Sequence, residues 1–181
     1  MIKIMEYGQL PNSEIFARDA QIGSVSAVVA EIIDTVRREG DRAVFAYNQK
    51  FDGAELGTLE VSAAEIEEAF EAVEPKFLDI LNRAAENIRA FHQKQVRNSF
   101  IINEQAGVIT GQKFTPIERV GLYVPGGTAA YPSTVLMDSI PAQIAGCREI
   151  VMVTPPGKDG RVSPVILAAA GIAGVHRIFK V

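Results

Sequence analysis

The last third of the chain switches repeatedly between strand-length apolar runs and helix-length ones, and few folds accommodate that alternation. Arg119 to Val124 (RVGLYV) is a short apolar strand that runs into a Pro125-Gly126-Gly127 turn. An apolar helix follows from about Ser133, and Pro141 is expected to kink or divide it. Glu149 to Val153 (EIVMV) reads as a second strand, ended by Thr154-Pro155-Pro156-Gly157. Pro164 to Ala173 reads as a second helix, and Ile178 to Val181 opens a third strand. This β-α-β-α-β order predicts an α/β fold with a parallel sheet and right-handed crossovers. A parallel strand at the end of such a run is normally flanked by neighbours and covered on both faces. Ligands of open parallel sheets bind beyond the carboxyl ends of the strands. The pattern stops where such a site would continue, so the chain reads as the N-terminal part of a longer protein.

The region before it, residues 1–98, is mostly helical in pattern. Val25, Val28, Val29, Ile32, Ile33 and Val36 share one face of a helix over about Val25 to Glu39, with Ser24 as N-cap and Gly40 as the stop. Asp41 opens a second helix through Phe45 and Tyr47, and Phe51-Asp52-Gly53 reads as a turn. Ser62-Ala63-Ala64-Glu65 is a capping-box pattern at the start of a third helix. Pro75 starts a fourth, whose apolar face runs from Phe77 through Leu81, Ala85 and Ile88 to Phe91. Such faces need cover, because isolated helices are marginal in water. Ser99 to Lys113 resembles a hairpin turning at Gly107.

Composition narrows the function. With 48% apolar and 22% charged residues, the chain is not of the disordered class. Its 18 basic and 22 acidic side chains leave no cationic excess for nucleic acid. One cysteine, Cys147, allows no internal disulfide. The first twenty residues hold no apolar signal core, and the longest uncharged stretch, Gly121 to Met137, is interrupted by Pro125, Gly126, Gly127 and Pro132. A soluble cytoplasmic protein, bound to neither membrane nor nucleic acid, is the expectation.

Val120 to Gly127 is the best local candidate for a ligand turn. Glycines let backbone approach a ligand, and the helix start that follows offers free N–H groups to an anion, with Ser133 and Thr134 as added donors. The same residues also read as a tight strand-to-helix connection with Ser133 as cap. Tyr123, at the carboxyl end of the strand, offers a ring and a hydroxyl, or is simply a rim aromatic. His92, His176 and Cys147 have no partners at metal or nucleophile spacing and read as structural. Glu65, Glu67, Glu68 and Glu71 read as a solvated face near a helix N-terminus. No catalytic set and no metal cluster is visible, so no catalytic or metal-ligating residue is assigned.

The run from Glu118 to Pro156, ERVGLYVPGGTAAYPSTVLMDSIPAQIAGCREIVMVTPP, resembles the signature of the histidinol dehydrogenase family, and ILAAAGIAGVHRIFKV continues the likeness. DTVRREGDRAVFAYNQKFDG, VSAAEIEEAF and NIRAFHQKQ resemble the family in the same order upstream. The resemblance implies an NAD-dependent, zinc-containing enzyme that oxidises L-histidinol to L-histidine and is a homodimer. It implies an incomplete Rossmann-like topology, with residues 1–118 forming the mainly helical part of a first α/β domain and 119–181 starting a second, truncated one. Tyr123 matches the tyrosine of the family's cofactor-contacting Gly-Leu-Tyr-x-Pro-Gly-Gly stretch, with Gly126 and Gly127 in the adjoining turn. Thr128 stands where many relatives carry lysine. The family's proton-transferring Glu–His pair and its zinc ligands fall beyond the position of Val181, so this stretch alone is expected to be inactive. The competing readings are a non-catalytic α/β ligand-binding or assembly module and an unrelated phosphate-binding protein.

Overall fold

The computed structural model describes residues 8, 11, 13, 25–126 and 130–181. They fall into two compact units, Met1–Gly40 and Asp41–Val181. The expected cap Ser24 lies outside the described residues.

In the first unit, helix α1 (Val25–Glu39) forms where the periodicity places it. Arg37 and Arg38 stand in its last turn, where positive charge suits the helix dipole. Gly40 ends it at φ 57°, and its N–H bonds back to Val36 O. Among the described residues no residue of α1 is buried, and Val25, Val28, Val29 and Ile33 are exposed.

The second unit begins with α2 (Asp41–Tyr47), which continues into a π-helical turn, Asn48–Asp52, closed by Gly53 at φ 67°. The expected Phe-Asp-Gly turn is thus the end of a helix. The capping box is present as read: Ser62 Oγ accepts from Glu65 N at 3.2 Å, and Glu65 Oε2 accepts from Ser62 N at 2.9 Å, opening α3 (Ala63–Ala72). Helix α4 (Pro75–His92) follows, then a short 3₁₀ turn at Gln93–Gln95. Strands β1 (Phe100–Gln105) and β2 (Val108–Gln112) form the expected hairpin around Gly107, at φ 77°. Every residue of the ribbon is exposed, including Ile101 and Ile109.

Strands β3 (Arg119–Tyr123), β4 (Glu149–Thr154) and β5 (Arg177–Lys180) form a parallel sheet in sequence order. Helix α5 (Pro132–Ile144) joins the first two strands and α6 (Pro164–Ile172) the last two. Pro141 does not divide α5. It removes one hydrogen bond, but Leu136, Ser139 and Ile140 are buried beside it and hold the helix in one piece.

The sheet and helices make three layers. Helices α5 and α6 pack on each other, α4 on α5 and α3 on α6. Ala69 of α3 and Leu81 and Ala85 of α4 therefore share one core with Leu136, Met152 and Ile166. Residues 41–118 and 119–181 are packed together in this unit. In register, Leu122, Met152 and Ile178 lie side by side on the helix-covered face. The opposite face, with Gly121, Tyr123, Val151, Val153 and Phe179, is exposed or half-buried, which gives β4 a strict alternation of buried and half-buried positions. Among the described residues, then, the sheet carries helices on one face only. The outer edge of β5 is closed by an extended segment that no sequence pattern announces: Val61 N–H donates to Ile178 O (2.9 Å) and Lys180 N–H to Leu59 O (2.8 Å).

Candidate functional site

Strands β3 and β4 deliver their last residues to the same end of the sheet. Beyond Tyr123 the chain stays in register for one residue, with Val124 N–H bonded to Val153 O at 3.0 Å and Val124 fully buried. Pro125 and Gly126 then turn against the segment leaving β4. A Cβ built on Gly126 would stand 2.7 Å from Pro155 Cγ, so only glycine lets the two exits touch. Gly127 and Thr128 lie outside the described residues.

A cavity of about 960 Å³ opens at this end of the sheet. Gly126, Thr154, Pro155 and Lys180 line it from the strand exits, and Ser62 and Glu65 from the start of α3. Its size suits a cofactor or a small-molecule ligand. Tyr123 is not part of its lining. It is 64% exposed, in register with Val153 on the open sheet face, one residue before the buried Val124. The sequence thus brings the end of the Tyr123–Gly126 stretch to a cleft, but divides it: Gly126 lines the cavity and Tyr123 faces the open side of the sheet.

Ser133 is not the cap of α5. Pro132 occupies the first helical position, which moves the cap to Tyr131, and no side chain caps it. Ser133 is exposed as the second helical residue.

Glu65 departs from the solvated-face reading. Its Oε1 accepts from Lys180 Nζ at 2.5 Å, with only 7% of the lysine side chain and 27% of the glutamate exposed. Burial pushes the Glu65 carboxyl up, but hydrogen bonds from Lys180 and Ser62 and the lysine charge outweigh it and hold the carboxyl below its ordinary value. Glu68 also has a tertiary partner, Arg161, at 3.6 Å. The capping box marked Glu65 as structured; nothing local marked the lysine 115 residues away.

The remaining candidates sit in local contacts. His92 Nδ1 lies 2.7 Å from Gln95 Oε1, and its ring meets Phe91 edge-on. Nδ1 of His176 accepts from Ile150 N–H at 3.1 Å, extending the ladder between β4 and β5 by one rung. Cys147 is half-buried and lines a mainly apolar groove with Ile117 and Ile144. Among the described residues, no three His, Cys, Asp or Glu side chains come together as metal ligands.

The family model described as histidinol dehydrogenase matches residues 17–181. The chain belongs to the histidinol dehydrogenase family. It is 43% identical to histidinol dehydrogenase of Clostridium acetobutylicum over 100% of this chain and 43% of that protein. It is 51% identical to the enzyme of Listeria monocytogenes over 87% of this chain and 36% of that protein. The crystal structure of histidinol dehydrogenase from Elizabethkingia anophelis superposes with a TM-score of 0.82 at 38% identity, covering 91% of this chain and 37% of that one. The chain therefore spans roughly two-fifths of the length of these relatives. The likeness supports the incomplete Rossmann-like character of the sheet in this histidinol dehydrogenase stretch.

The Glu65–Lys180 pair carries a prediction with a definite sign. The folded Glu65 titrates below its ordinary value of 4.5, so its contribution to stability is present above that pH and lost as pH falls through the lower folded value. Glu65→Gln should therefore lower the urea midpoint more at about pH 7 than at about pH 3. An equal penalty at both would contradict the pairing.

Proposed function

We propose that this chain contributes the cofactor-side part of an NAD-dependent histidinol dehydrogenase, which oxidises L-histidinol to L-histidine. The observation that carries this reading is the family's Gly-Leu-Tyr-x-Pro-Gly stretch lying at the exit of a parallel strand, its Gly126 lining a cavity that the exits of all three strands reach. Tyr123 would stack on or bond the dinucleotide from the open sheet face. Gly126 would keep the β3 exit low, so that the cofactor reaches the backbone between the exits of β3 and β4. NAD supplies the hydride acceptor, once for alcohol to aldehyde and once for hydrated aldehyde to acid. This chain's part is to bind and orient it and to exclude water from one side.

The described residues do not fit a zinc site, because no ligand set converges among them, and no step here runs through zinc. The proton-transferring residues and zinc ligands of the family belong, in this reading, to sequence not included in residues 1–181. The division into one domain over 1–118 and another over 119–181 likewise belongs to the complete polypeptide, as does a homodimer working in the cytoplasm. No helix among the described residues is long and apolar enough to cross a membrane.

Purified 1–181 mixed with L-histidinol, NAD and zinc is expected to form no NADH above blank, while the complete polypeptide turns over. Steady turnover by 1–181 would show that the proton-transfer groups lie within it and overturn this division of labour.

A further inference from the structure

Lys180 is the last residue of β5, and each of its polar groups is held by a different N-terminal element. Its N–H donates to Leu59 O at 2.8 Å, its carbonyl accepts from Asn48 Nδ2 at 3.2 Å, and its Nζ donates to Glu65 Oε1 at 2.5 Å. Lysine is almost never this buried unless paired, and a buried ion pair is a poor way to gain stability compared with an apolar side chain. The helix-covered face of β5 already holds Ile178, so an apolar residue at position 180 would continue the pattern. What the ion pair supplies instead is direction. Asn48 adds to that: it opens the π-helical turn and spends its amide N–H groups on Val44 O and Lys180 O. Its buried Oδ1 has no partner among the described residues. Turns of this kind are often kept at functional sites despite their poorer geometry.

The clamp acts at the cleft. Lys180 lines the same cavity as Gly126, Thr154 and Pro155, which come from the other two strand exits. Those two exits are set against each other by the Gly126–Pro155 contact. The third is laddered to β4, with Val181 N–H bonded to Thr154 O at 3.0 Å, and is held on its outer side by residues 48, 59 and 65.

We propose that Lys180 is a positioning residue for the dinucleotide: held by Asn48, Leu59 and Glu65, it aims the exit of β5 into the cofactor cleft without itself touching the cofactor. This rests on the NAD reading given above.

The test uses the complete polypeptide that contains these residues, with steady-state kinetics in NAD. Lys180→Met should raise KM for NAD about tenfold, with kcat changed less than about threefold, because misaimed walls weaken binding more than chemistry. Lys180→Arg, which keeps the charge, should recover most of the loss. Glu65→Gln, which preserves the capping box, serves if Lys180→Met does not fold, and should raise KM for NAD by about three- to fivefold. KM for NAD within about twofold of wild type in Glu65→Gln and in folded Lys180→Met overturns the proposal, even if their melting temperatures fall. If the wild-type polypeptide forms no NADH from L-histidinol, the functional reading itself fails and this inference with it; if it does and only the variants are silent, the inference alone fails.

Discussion

Met152→Ala is expected to destabilise the Asp41–Val181 unit by about 2–5 kcal/mol, the usual cost of truncating a large core side chain. Met152 is fully buried in the middle strand of the sheet, between Leu122 on one side and Ile178 on the other. It shares a core with residues from α5 and α6, so few neighbours are free to move into the space it leaves. Domains of ordinary stability have about 5–15 kcal/mol in total, so the loss is a large share of it. A urea titration would show it as a midpoint lowered by about 1–3 M at unchanged slope. Val151→Ala serves as control: one position earlier on the same strand, Val151 faces the half-covered side and should cost less than about 1 kcal/mol. Equal losses at the two positions would mean that both sides of the sheet are packed alike, against the layer order described here.

Tyr123→Ala should raise the NAD requirement of the complete enzyme by about tenfold or more and leave its zinc content unchanged. The ring is largely exposed on the open face of the sheet, so its removal leaves no core cavity and should not unfold the chain. Stacking a base on an aromatic ring is worth about 1–3 kcal/mol, and each 1.4 kcal/mol is about tenfold in affinity. Tyr123→Phe separates the ring from the hydroxyl: near-normal binding assigns the effect to stacking, and a loss close to that of alanine assigns it to the hydrogen bond. Equal NAD binding by wild type and Tyr123→Ala removes Tyr123 from the site.

The two residues proposed to act in cofactor binding differ in how readable they are. Tyr123 stands in a strand-turn context that local pattern resolves, but the same pattern also reads as a rim aromatic, and only the family likeness points to it as a cofactor contact. Lys180 sits at the end of a four-residue strand, RIFK, where a terminal lysine looks like a solvated flank. Glu65 looks like one of four glutamates on an acidic helix start, although its capping role is legible from Ser62. Pro141 and Ser133 show the opposite error, in which a local rule is overruled: buried neighbours carry the helix through the proline, and Pro132 takes the position that would have made Ser133 a cap.

Hydrophobic period, capping residues and glycine turns act over a few residues, so the order of helices and strands, the hairpin, the capping box and the parallel sheet all follow from the chain read locally. Which faces are covered, which segment closes the edge of β5 and which acid meets Lys180 depend on where the backbone returns after more than a hundred residues. Such meetings have no period and no spacing rule. They exist only because α3 stacks on α6 and carries Glu65 to the end of β5, so packing alone decided them.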